Sequence, residues 1–493
     1  MKRYLTILAL ALPAVVAGAF AQETPGVSEA AIPKGTVRLN RAPVAKEVLK
    51  VHFPRPKVYT LPNRLRVYIL EDHRVPGTTI TLMVRAGSLY CDTPELAEAT
   101  GAILQDGTTT KSGKEISKLV DDMGAELNTG AGSEYATVGI SALSDFTEPM
   151  LDILADVALH PSFPIDRLDE YKYRRIAGLP ARKSDAESLA RGLAGRVNYG
   201  TTRYARATPK KEDINAVTRE AMIAYHSAAF RPNGATLTVV GDVNPKAIIA
   251  RVRELLGAWE PSAKDPVDPE AEFAPKTSTV VHLIDRPGSK QTMLRFTNIA
   301  IRRNDPDYIP LTVANRILGA GSTGRLFQHI REEKGYTYGA YSGFSAPRWP
   351  GTIDAYASVR TEVTGPAAQA FLDEFHRMQA EPPPAEELER AKRTIIGSFA
   401  RTLESPDSIL AKTMEIVRND LPANYWDTYP AQIEAVTGAD VQRVARKYLG
   451  EGRIQIIAIG EGSAIEAALK PFGPIQKYDT DINPIAPARP DGQ

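Results

Sequence analysis

Leu65–Val84, LRVYILEDHRVPGTTITLMV, reads as a strand (65–70), a turn closing on Pro76-Gly77, and a second strand (79–84). The same plan returns at Thr279–Phe296, TVVHLIDRPGSKQTMLRF, with strands over 279–284 and 292–296 around Pro287-Gly288. After the first copy, apolar periodicity predicts helices near 95–106, 113–123, 147–159, 166–195 and 217–229. A strand over 235–240, Gly241-Asp242 and a helix near 245–256 close that half. After the second copy, helices are expected near 307–318, 323–334, 365–379, 385–404 and 437–448, then a strand over 454–459, Gly460 and a helix near 463–470. Gly77 and Gly288 stand 211 residues apart, and Gly241 and Gly460 stand 219 apart. Start and end signals at nearly one spacing predict a duplicated α+β domain, each copy an antiparallel sheet with helices packed on it.

The expected organisation is a first domain over 57–260, a linker over 261–278 and a second domain over 279–473. The linker, PSAKDPVDPEAEFAPKTS, has four prolines and no apolar period. An arm over 22–56 and a Pro-rich tail over 474–493, ordered only by docking, flank the domains. Residues 1–21 read as a signal peptide: basic Lys2 and Arg3, an apolar run over Leu5–Val16, and a cleavage site at Ala19-Phe20-Ala21. That predicts an exported, periplasmic protein of about 470 residues with no membrane span. A net charge of +1 without a basic block argues against a nucleic-acid partner. Cys91 is the only cysteine, so no internal disulfide is available.

Gly319–Ala340, GAGSTGRLFQHIREEKGYTYGA, reads as a glycine loop, a short amphipathic helix, a stop and a strand. Ser322 is the expected N-cap, Gly335 the stop, and Leu326 and Ile330 the buried face. Arg331 and Tyr338, seven residues apart, offer a guanidinium fork and a phenol suited to a carbonyl or carboxylate. On chemistry alone, a surface Arg and a strand Tyr are the simpler explanation of the two. Gly319-x-Gly321-x-x-Gly324 spells a dinucleotide fingerprint but follows a helix, not a strand.

The chain resembles the pitrilysin/insulinase (M16) family of zinc peptidases over about 55–475. The resemblance is carried by Val84-Arg85-Ala86-Gly87-Ser88, Asp106-Gly107-Thr108, Gly124–Asn128, Arg231-Pro232-Asn233, Gly241-Asp242 and Gly324–Tyr338. Active members carry His-x-x-Glu-His on a helix before the Gly-Thr, two His binding zinc and the Glu taking a proton from the metal-bound water, with a distant Glu completing the site. Here the matching positions are Glu98, Gly101, Ala102 and, for the distant carboxylate, Gly178. One carboxylate of four functional groups remains, and the seven histidines are scattered. The resemblance therefore implies that this chain binds no zinc and is not a peptidase alone.

In the family, an Arg and a Tyr seven apart grip the substrate backbone opposite the zinc, and Arg331 and Tyr338 match that pair. The resemblance implies the non-catalytic, substrate-binding subunit of a heterodimer, with zinc in an M16 paralogue and unfolded peptides as substrates. The alternative is a peptide-binding or structural protein of this fold with no peptidase partner.

Overall fold

The computed structural model describes residues 51–485 apart from 206–208, 271 and 451. The expected signal peptide, most of the arm and the end of the tail lie outside the described residues. Strands β1 (Lys57–Thr60), β2 (Arg66–Glu71), β3 (Gly77–Val84), β4 (Glu126–Ala131), β5 (Ala136–Leu143) and β6 (Ala235–Gly241) build one sheet, in the order β1-β2-β6-β3-β5-β4. Strands β7 (Val281–Asp285), β8 (Gln291–Ile299), β9 (Tyr341–Phe344), β10 (Thr352–Arg360), β11 (Gln455–Gly460) and β12 (Ile475–Tyr478) build the other, in the order β12-β7-β11-β8-β10-β9. Five of the six positions, from β2/β7 through the edge pair β4/β9, correspond strand for strand, as the duplication requires. The sixth does not: β1 pairs antiparallel to β2, whereas β12, from the tail, pairs parallel to β7. Both sheets are mixed, since β2–β6 and β7–β11 also run parallel.

One face of each sheet is packed by helices of its own half. In the first half, Met150, Leu151 and Leu154 of helix Thr147–Leu159 share a core with Ile80, Leu82, Val138 and Ile140. Each large apolar side chain leaving water contributes about 1.5–3 kcal/mol, which exceeds the about 0.5–1 kcal/mol of rotamer entropy that burying a Leu or Ile costs. His226, on helix Arg219–Ala229, is half-buried and packs against Phe163 and Phe230 at the border of this core. Its ring stands edge-on to Phe163 at 5.8 Å and Nε2 bonds the Ala158 carbonyl at 2.9 Å. Burial depresses its pKa to about 4. Unfolded, the imidazole takes a proton near 6.5, so between those values the unfolded chain binds more protons and stability rises with pH. We expect about 3 kcal/mol to be lost as the pH falls from about 6.5 to about 4. Denaturant titrations across that window should show the slope in wild type and a flatter one in His226→Gln.

Opposite faces are exchanged. Helix Ala186–Tyr199, from the first half, lays Leu189, Leu193 and Val197 against Ile284, Met293, Ile457 and Ile459 of the second sheet. Helix Pro406–Arg418, starting 220 residues later, packs on β6, and its Ile409, Leu410 and Met414 share a core with Tyr68, Leu70 and Val240. Both helices are capped alike: Asp185 accepts from the Ser188 N–H and Ser405 from the Ser408 N–H.

Several expectations need correction. The helix expected over 166–195 is three, Ile165–Ala177, Leu179–Ser184 and Ala186–Tyr199. Pro180 fits only a first turn, and the extended backbone at Asp185 starts a new helix. Helices Pro406–Arg418 and Tyr425–Ala435 and the strands β1, β4, β5, β10 and β12 were not expected. The stretch 261–278 has no helix or strand among its described residues, but it is held down. Asp268 accepts from Tyr90 Oη at 2.6 Å, from Arg348 Nε at 3.1 Å and from Arg85, and Phe273 packs edge-on against Tyr199 and Tyr204. The end of the arm is docked too, with Phe53 buried and its N–H on Asp427 at 2.9 Å. Among the described residues no helix is long and apolar enough to cross a membrane.

Candidate functional site

Two places need examination: the helix carrying the zinc-motif positions and the loop carrying Arg331 and Tyr338. Helix Leu96–Ile103 lies against β4, the edge strand of the first sheet, and carries Glu98, Gly101 and Ala102. A Cβ built on Gly101 would come within 2.5 Å of the Gly130 carbonyl carbon and 2.6 Å of the Ala131 nitrogen, both backbone atoms of β4. The position where a catalytic base would stand is therefore closed to any side chain. Gly178 ends helix Ile165–Ala177, its N–H on the Arg174 carbonyl at 3.1 Å, and offers no ligand. Glu98 is half-buried and its Oε2 has no partner. Burial raises its pKa, opposed by the helix backbone N–H and by Arg175, and reinforced by Glu95.

The strongest polar contact here was not visible in the sequence. Glu95 begins the helix in the left-handed region, at φ 65°, and is almost fully buried. Its carboxylate accepts from Tyr171 Oη at 2.6 Å, from Arg175 Nη2 at 3.0 Å and from Arg175 Nε. The partners lie about 80 residues away on helix Ile165–Ala177, with no spacing rule to join them. Thus a guanidinium meets the Glu95 carboxylate at the start of this helix. With a lone Glu98, a closed Gly101, the methyl of Ala102 and Gly178, the residues do not fit a zinc ion. Among the described residues no group of three or more His, Cys, Asp or Glu side chains is arranged to hold a metal. Cys91 lines the 570 Å³ cavity beside Glu95 and Glu98, but burial pushes its thiol up and it bonds the Thr93 carbonyl, so it is no activated nucleophile.

The second place is ordered differently from the expectation. Ser322 is not the cap: the helix begins at Arg325, the Gln328 N–H bonds the Gly324 carbonyl, and Ser322 gives only its carbonyl to the Gln328 amide. Phe327–Glu333 is wound as a π-helix, and the Lys334 N–H reaches back five residues to the His329 carbonyl. Leu326 and Ile330 are fully buried, as expected. Gly335 stops the helix at φ +63°, with the Tyr336 N–H returning to Ile330 O at 3.1 Å. Tyr338 sits in a bend before β9 rather than in a strand.

Arg331 lies over the Phe327 ring at 5.1 Å, pairs with its neighbour Glu332 and is 41% exposed. Tyr338 is 91% exposed. No hydrogen bond joins the two, so both are presented outward. Their loop is nevertheless tethered: Arg360 donates to the Gly335 carbonyl at 2.8 Å and Thr337 to the Ser358 carbonyl at 2.6 Å, both on the end of β10. These two supporting residues carry no sequence signal beyond the strand that was missed.

With this geometry in hand, comparison with known proteins is direct. The family model described as insulinase (peptidase family M16) matches residues 66–183, and that described as peptidase M16 inactive domain matches 216–395. The chain belongs to the M16 peptidase family. A solved M16 inactive domain from Pseudomonas fluorescens is 27% identical and superposes with a TM-score of 0.76, covering 82% of this chain and 98% of that one. Among curated M16 relatives, the uncharacterized zinc protease YmxG of Bacillus subtilis is 22% identical over 79% of this chain and 93% of its own length. The protein named non-peptidase homolog YmxG, from Helicobacter pylori, is 23% identical over 76% and 87%. Two domains, each a six-stranded sheet with helices packed on it, match the M16 two-domain fold.

Proposed function

We propose that this chain is the non-catalytic, substrate-holding subunit of an exported heteromeric M16 peptidase. Zinc would belong to a paralogous partner, and Arg331 and Tyr338 would reach the peptide held there. The observation that carries this reading is a pairing. The metal half is replaced by Glu95–Arg175 and a sterically closed Gly101. The gripping half is outward-facing and braced from behind by Arg360 and Thr337. A relative named as a non-peptidase homolog supports a non-catalytic role.

The chemistry asked of the pair is modest. Arg331 donates to a carbonyl or carboxylate and Tyr338 adds a third donor, orienting the scissile peptide rather than cutting it. Substrates would be extended peptides that add as a strand to a sheet edge beside the partner's zinc. Reconstitution with a zinc-carrying paralogue tests the reading. At about 1.5–3 kcal/mol per hydrogen bond to a charged group, Arg331→Ala should slow peptide cleavage by the mixture roughly 10- to 150-fold. Tyr338→Phe should slow it less, and neither should change the partner's zinc content. Unchanged cleavage in both variants would refute the role.

A further inference from the structure

Helix Ala186–Tyr199 and the β9–β10 hairpin enclose a cavity of about 830 Å³, within the range of ligand-binding pockets. Asn198, Tyr204, Arg295, Trp349 and Asp354 are among its walls. Two of these are nearly inaccessible: Arg295 is 7% exposed and Asn198 4%. Arg295 commits Nη2 to Glu187 at 2.6 Å and Nη1 to Asp354 at 3.1 Å, leaving Nε buried without an acceptor. Asn198 donates Nδ2 to Thr297 Oγ1 at 2.9 Å, leaving Oδ1 buried without a donor. An unmet buried polar group costs about 1–3 kcal/mol, so an unpaired buried donor and an unpaired buried acceptor on two residues that line one cavity call for a third party.

The pattern of the two groups selects its chemistry. A carboxylate or phosphate would satisfy Arg295 and leave Asn198 Oδ1 facing another acceptor. An ammonium would do the reverse. A peptide backbone offers a C=O to one and an N–H to the other. Arg295 and Thr297, to which Asn198 is anchored, are two apart on β8, about 7 Å, the distance over which an extended segment repeats its groups on one side. Tyr204 and Trp349, packed edge-to-face with centroids 5.0 Å apart, add an aromatic wall for an apolar side chain.

We propose that this cavity is a second peptide-binding subsite. It takes the backbone of an extended segment on Arg295 and Asn198, with an apolar side chain against Tyr204 and Trp349. It rests on the reading that the chain holds peptides, but not on Arg331 and Tyr338 being the residues that do so.

The test is fluorescence anisotropy of a labelled, unstructured, aromatic-rich peptide with the full chain. Ser345→Trp fills the mouth from an exposed wall residue, and the Arg331→Ala/Tyr338→Phe double variant removes the outer pair. A diazirine-bearing version of the peptide is cross-linked to wild type and mapped by mass spectrometry. We expect Ser345→Trp to weaken binding about tenfold or more at unchanged melting temperature, and cross-links to fall in 188–205 and 345–354. Wild-type affinity in Ser345→Trp together with no cross-link in those segments overturns the subsite, and trapped water then meets the two atoms. If the double variant alone loses binding, the outer pair stands and the subsite falls. If Ser345→Trp alone loses binding, the subsite stands and the outer pair falls. No binding by wild type refutes both.

Discussion

Glu95→Ala is expected to cost the folded chain about 2–4 kcal/mol. Removing one partner of a buried ion pair typically costs about 3–5 kcal/mol, because the other is left charged and unpaired. The discount reflects Arg175, whose side chain keeps 23% exposure and can recover some hydration, whereas that of Glu95 keeps 2%. The Tyr171 hydroxyl loses its acceptor in the same step. Chemical denaturation of the full chain checks this by the shift in midpoint at constant slope. Glu95→Gln, which keeps an acceptor for Tyr171 and Arg175 but loses the charge, should fall between. A loss under about 1 kcal/mol for Glu95→Ala would mean that the contact is incidental to stability.

The second large effect concerns Gly101. Its helix and β4 approach so closely that backbone atoms occupy the space of a Cβ. A strand backbone fixed in a sheet cannot yield as a side-chain tip can. Gly101→Ala should therefore cost about 1–3 kcal/mol, despite the higher helix propensity of alanine. The triple change Glu98→His, Gly101→Glu, Ala102→His, which rewrites the full motif, should cost more and bind no stoichiometric zinc, as read by thermal unfolding and metal content. A triple variant that melts like wild type and retains one zinc per chain would show that the site is merely dormant.

Much of the architecture was legible because its signals are local. Pro76-Gly77 and Pro287-Gly288 mark corresponding turns, and β6 and β11 are mostly apolar runs buried along their whole length. Strands β4 and β5 were missed because Gly130 and Gly139 interrupt them, whereas β10 does alternate, Ile353, Ala355, Ala357 and Val359 inward, but two of its four inward residues are alanines that give a weak apolar signal. At the candidate site, Glu98, Gly101, Ala102 and Gly178 came from the family resemblance, which carries its motif onto those positions. The Glu95–Arg175 contact could not be found that way, since it depends on two helices brought together by the fold. Arg295 and Asn198 stayed hidden for the same reason.

The exchanged helices carry a consequence for how the polypeptide can be divided. Each sheet is roofed by a helix that the other half supplies, so neither half owns a finished core. A protease cut within 261–278 should leave an intact, nicked molecule. The two fragments made separately should each precipitate through an uncovered apolar sheet, and regain solubility only when mixed. Gene fission at that seam would yield obligate complementing pieces, not two free-standing modules.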